Sequence, residues 1–98
     1  MIFPRNCYFY CDTTAEVKEL LQMLEADGLE WLSGARLTSE LNHYSRRTYY
    51  RVQITNKVTF GCKLSEDYDW PAYSIDDARG FYNCAAAPVT IPDINDLL

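Results

Sequence analysis

Few side chains in this sequence are of a type that does chemistry. There are four Cys and a single His. Four thiols match the count of a structural zinc site, whose ligands come in pairs two to four residues apart. Cys7 and Cys11 have that spacing, but the alternating pattern around them places both on one strand. Their Cα atoms are then ~13 Å apart at ~3.3 Å per residue, too far to share an ion or a disulfide. Cys62 and Cys84 have no close partner in sequence. Buried thiols in the core, with no metal and no cofactor, are the expectation. His43 would serve a nucleophile only beside a thiol and an orienting third group, and it sits in a polar stretch between Asn42 and Tyr44. Adjacent carboxylates occur at Glu66-Asp67 and Asp76-Asp77, in an acidic segment where solvation is the rule. A Ser elbow, a Gly-rich phosphate loop and a His-Glu metal motif are all missing from the sequence. An enzyme is therefore not expected.

Two constellations suit binding instead. In the first, Ser33-Gly34 followed by Arg36 would offer backbone N–H groups and a planar guanidinium to an anion. Arg46 and Arg47 would converge on it, and Trp31, Tyr44 or Tyr49 would stack on a base. The ligand would be an anionic nucleotide. Against this, Trp31 can be core, Gly34 a plain turn, and the arginines counterions for the acidic third of the chain. In the second constellation, Glu66, Asp67, Tyr68, Asp69, Trp70, Tyr73, Asp76 and Asp77 interleave carboxylates with aromatic rings. Such a surface could occupy a basic channel on a partner, with the rings as buried anchors. The plainer reading is an acidic loop facing solvent.

The charge layout frames both. The chain of 98 residues carries a net −5, but residues 36–63 alone are net +5 and residues 64–98 net −6. Overall acidity argues against direct binding to nucleic acid, which depends on neutralising phosphates. It suits docking on a basic partner, or association of copies through basic middle and acidic end. No apolar run approaches the ~18 residues of a membrane span, and no secretory leader pattern opens the sequence. A cytosolic protein is expected.

The elements that must position these residues read as follows. Asn6 to Asp12 alternates as a strand, with Cys7, Phe9 and Cys11 on one face and Tyr8 and Tyr10 on the other. Thr13 and Glu16 have capping-box spacing, and Val17, Leu20, Leu21 and Leu24 form a helical stripe that ends at Gly28. The main amphipathic helix thus covers about 13–27. Leu29 to Leu32 is a short strand, with a helical turn near 38–41. Thr48 to Ile54 is a strand with Tyr50, Val52 and Ile54 on one face, and Tyr49, Arg51 and Gln53 on the other. A turn at 55–57 leads to a strand over 58–62, with Val58, Phe60 and Cys62 inward. Residues 65–72 look unsuited to regular structure. A short helix is expected over about 74–82, a last strand at 89–91, and a flexible acidic tail over 92–98.

The order predicts an α+β single domain over 1–98, a small mostly antiparallel sheet of four to five strands with the main helix on one face. Residues 6–62 resemble a type of small phage-encoded accessory protein. The resemblance rests on a strand, a Glu-rich helix, then Gly28-Leu29-Glu30-Trp31-Leu32-Ser33-Gly34, and a hairpin ending in Phe60-Gly61. It implies an inhibitor or decoy acting on a host system, in the host cytosol. The expected function is a non-enzymatic phage-type inhibitor that docks its acidic, aromatic segment on a basic surface of a host protein. The alternative is a protein that sequesters an anionic nucleotide at the basic loops.

Overall fold

The computed structural model describes residues 1–66 and 68–86. Strand β1 (Cys7–Cys11) leads to helix α1 (Thr14–Ala26), the short strand β2 (Glu30–Trp31) and a single 3-10 turn (Leu37–Ser39). The hairpin β3 (Thr48–Val52) and β4 (Lys57–Gly61) follows, then β5 (Ala72–Tyr73) and helix α2 (Ile75–Ala86). The fold is α+β, as the pattern predicts.

Local signals account for α1. The Thr13 hydroxyl accepts the Glu16 N–H at 3.2 Å, and Glu16 Oε1 accepts the Asp12 N–H at 2.8 Å. Two donors at the helix start are thereby satisfied. Gly28 then adopts φ +85°, a left-handed conformation that closes the helix at low steric cost. In the hairpin turn, Asn56 takes φ +69°.

The strands form one five-stranded sheet in the order β2-β4-β3-β1-β5. β1 pairs antiparallel with β3, and β3 with β4, in the two long ladders. The two-residue edge strands β2 and β5 pair parallel, with β4 and β1 respectively. Residues 65–72 therefore do end in a strand, which sequence reading missed. Ala72 and Tyr73 are held by the ladder of a distant strand rather than by their own propensity.

Both helices pack on one face. Cys7, Phe9, Cys11, Tyr50, Val52 and Val58 of the sheet meet Val17, Leu20, Leu21 and Leu24 of α1 and Ile75 and Ala78 of α2. Phe3 reaches in from the N-terminus and meets Phe9 edge-on at 5.5 Å. Its segment is held by the buried Asp27 carboxylate, which accepts from Ile2 N (2.7 Å), Phe3 N (3.0 Å) and Arg5 Nη1 (2.8 Å).

The strand ends differ from expectation. β3 stops at Val52, so Ile54 lies in the turn, 71% exposed. β4 stops at Gly61, leaving Cys62 exposed. Phe60 keeps the inward register but reaches the sheet margin beside Trp31 and Tyr44. Cys7 and Cys11 are buried as expected, whereas Cys84 is also exposed. Helix α2 runs one turn beyond the expected 82. The expected strand at 89–91 and the acidic tail lie outside the described residues. Among those described, no helix is long and apolar enough to cross a membrane.

Candidate functional site

The predicted basic loop does not gather its arginines. Gly34 (φ +93°) makes a tight turn, with its N–H on the Trp31 carbonyl at 2.8 Å, and the Ser33 hydroxyl accepts from Ala35 N at 3.3 Å. Arg36 is ion-paired with Glu25 at 2.9 Å, in the last turn of α1. Arg47 forms a two-pronged pair with Asp12 (2.7 and 3.0 Å), just before α1. Its guanidinium also lies 4.2 Å above the Tyr10 ring. The two arginines are tied to opposite ends of a helix that rises ~1.5 Å per residue, roughly 20 Å apart. Arg46 is exposed beside Arg47.

The acidic segment divides between the two faces of the sheet. Tyr73 points into the helical layer, against Phe9 (5.6 Å) and Phe81 (5.2 Å). Asp77 caps α2: it accepts from Ser74 N at 3.0 Å, while its own N–H donates to the Ser74 hydroxyl at 3.1 Å. Asp76 pairs with Arg79, which also grips Glu19 of α1. On the other side of the sheet, Tyr68 stacks on Trp70 at 4.5 Å, and Trp70 lies 6.0 Å from Tyr8. Glu66 and Asp69 are exposed in this segment. Asp67 lies outside the described residues.

The face without helices holds a different arrangement. Strand register aligns Ala72, Tyr8, Arg51 and Thr59 in one row, and Tyr10, Tyr49 and Gly61 in the next. Residues opposite each other in such a row have Cβ atoms ~4.5–5.5 Å apart. Tyr8, Tyr49, Arg51 and Gly61 thus floor a groove of about 450 Å³, with Lys63 and Leu64 at its rim. A Cβ at Gly61 would make ordinary van der Waals contact with the Lys63 carbonyl oxygen at 3.8 Å, so the glycine leaves the floor flat there without a void. The Arg51 guanidinium sits 5.2 Å from the Tyr68 ring centre, joining the Tyr68–Trp70 pair into one wall.

Two polar atoms of this groove are shielded from water and find no hydrogen-bond partner among the described residues: the Tyr8 hydroxyl and Arg51 Nε. Tyr8 itself is only 3% exposed. Such orphans are rare in folded proteins, because each costs ~1–3 kcal/mol. Both belong to cross-strand partners, and both can donate to an acceptor.

The thiols are less suited to chemistry. Burial pushes Cys7 up to about 12, against the Arg5 charge, and pushes Cys11 up to about 12 with help from Glu16, Asp12 and Glu19. Both stay protonated at neutral pH. Among the described residues no cluster of His, Cys, Asp and Glu is placed to hold a metal ion.

Sequence reading missed this groove as a site, though part of it was legible. Alternation separated Tyr8 from Phe9, and Tyr49 and Arg51 from Tyr50, and Tyr49 was among the candidate stacking rings. The register that sets Tyr8 against Arg51 joins residues far apart in the chain, and no local signal encodes it. No family model, curated protein or solved structure matches the chain.

Proposed function

We propose that this chain is a non-enzymatic binding domain that holds an anionic ligand in the groove on the open face of its sheet. The observation that carries the reading is the pair of buried, unpartnered donors, Tyr8 Oη and Arg51 Nε, on facing residues of one groove. Two donors call for an acceptor, and a guanidinium with an ammonium at the rim calls for negative charge. A hydrogen bond to a charged group contributes ~1.5–3 kcal/mol, enough to offset an orphan's cost. Among the described residues the lining is made of Tyr, Arg, Lys and small or apolar side chains, which suits holding an anion. Sequestering a small anion would be a decoy activity of the kind the phage resemblance implies. The acidic-segment reading has less support, because Tyr73, Asp76 and Asp77 lie with the helices and Tyr68 and Trp70 with the groove.

The test is the melting temperature of the native chain in rising inorganic phosphate, with chloride holding ionic strength constant. A ligand bound only by the folded state raises it logarithmically. Phosphate also stabilises proteins generally by exclusion from their surface, so Arg51→Met and Lys63→Met provide the comparison. A rise in the native chain that shrinks in both variants supports the site. Equal rises in all three refute it.

A further inference from the structure

Resting on the anion-binding reading, we propose that the occupant is a nucleoside monophosphate, its phosphate held by Arg51, Lys63 and the Tyr8 hydroxyl and its base stacked on Tyr49. The groove, at about 450 Å³, is larger than a bare phosphate needs and falls in the range that takes whole small molecules. Its contents are also of two kinds. The orphan donors belong to the Tyr8–Arg51 pair, Tyr49 and Gly61 form the adjacent row, and Lys63 follows Gly61 at the rim. An anion attached to a flat ring matches that division.

Tyr49 is the ring placed to stack. Tyr10 supports it from the neighbouring strand, with ring centres 5.8 Å apart. On its other side the cross-strand partner is Gly61, which has no side chain to lie against the ring. Nothing from β4 therefore covers the ring where the groove passes it. Tyr68 differs, since Trp70 and Arg51 already flank it and make it a wall.

One nucleotide fits the electrostatics better than a strand. The chain is net −5, and Asp12 and Glu30 already neutralise Arg47 and Lys57 on this face. Among the described residues Arg51 and Lys63 are the cations that line the groove, which suits a single phosphate rather than a backbone track.

Calorimetric titration of the native chain decides this with a short panel: the four ribonucleoside monophosphates, ribose 5-phosphate, adenosine and decathymidylate. The expected result is that at least one monophosphate binds ten- to a hundredfold tighter than ribose 5-phosphate, the gain of one stacked base. Adenosine, lacking the anion, should show no measurable binding. Tyr49→Ala should abolish the preference for the monophosphate over ribose 5-phosphate, and Tyr49→Phe should keep it. Thermal melts of both variants verify that each is folded. Equal affinity for ribose 5-phosphate and the monophosphates overturns the stacked base but leaves the anion site standing. Tighter binding of decathymidylate replaces the mononucleotide with a strand. Absence of binding by every phosphate in the panel overturns both readings.

Discussion

Replacing Tyr8 by Phe should make the unliganded protein more stable, which is the reverse of the usual result for deleting a hydroxyl. Tyr8 is 3% exposed, and its oxygen is shielded with no hydrogen-bond partner. A buried hydroxyl in that condition costs ~1–3 kcal/mol relative to water. Phe removes that cost, keeps the ring against Trp70, and leaves a gap smaller than a methyl group. Taking the low end, the net gain is about 1 kcal/mol. For a chain of this length that is a rise of roughly 4–8 °C in melting temperature. Differential scanning calorimetry on the two proteins, in a buffer of low anion affinity, measures it. The same substitution should weaken phosphate binding roughly tenfold, the contribution of one hydrogen bond to a charged group. Stability and binding should thus move in opposite directions. A Tyr8→Phe protein that is less stable by ~1 kcal/mol would refute the reasoning, because the hydroxyl would then have a partner in the unliganded state.

Other predictions concern the scaffold. Asp27→Asn should destabilise by about 3 kcal/mol, or roughly 12–24 °C, since it leaves the nearly buried Arg5 charge without its counterion; a loss under 1 kcal/mol on urea unfolding would contradict it. Stability should be flat from about pH 6 to 8 and decline as pH falls below ~4.5. Burial alone would raise Asp27, but N–H donors from Phe3 and Ile2 and the Arg5 guanidinium hold it below the usual range. Glu25 is lowered to about 2, first by the Thr38 N–H and then by Arg36 and the Thr38 hydroxyl. Both are carboxylates depressed in the folded state, so the unfolded chain binds more protons in acid and the stabilisation is lost there. Urea melts from pH 2.5 to 8 check the sign, and rising stability on acidification would contradict it. With Ellman's reagent at pH 8, Cys62 and Cys84 should react at once and Cys7 and Cys11 only on unfolding; four fast thiols in the native protein would show the buried pair to be accessible.

What the sequence made legible follows the range of the interactions involved. Helix α1 was readable because its cap, stripe and closing glycine all act within one or two turns. The alternation of β1 and β3 was readable for the same reason, and it separated Tyr8 and Tyr49 from Phe9 and Tyr50. The parallel edge pairings were not, because Ala72 and Tyr73 owe their strand to β1, more than sixty residues earlier in the chain. Strand ends were misjudged by one or two positions, which turned Ile54 and Cys62 outward.

The binding readings followed charge runs along the chain, and the fold redistributed those charges. Arg36 and Arg47 were expected together and are instead paired at the two ends of α1. Asp76 and Asp77 stabilise the start of α2 rather than extending the surface of Tyr68 and Trp70. Arg51, distinguished in the sequence only by lying on the strand face opposite Tyr50, acquires its interest from the unpartnered tyrosine across the strand.

The most direct test of the account is where a small anion touches the protein. Backbone amide shifts of the nitrogen-15-labelled native chain, followed during titration with inorganic phosphate at constant ionic strength, map that contact residue by residue. The account predicts saturable shifts confined to Tyr8, to Tyr49 through Arg51, and to Thr59 through Leu64. Shifts centred on Ser33 to Arg36 and on Arg46 and Arg47, with the groove unmoved, would contradict it.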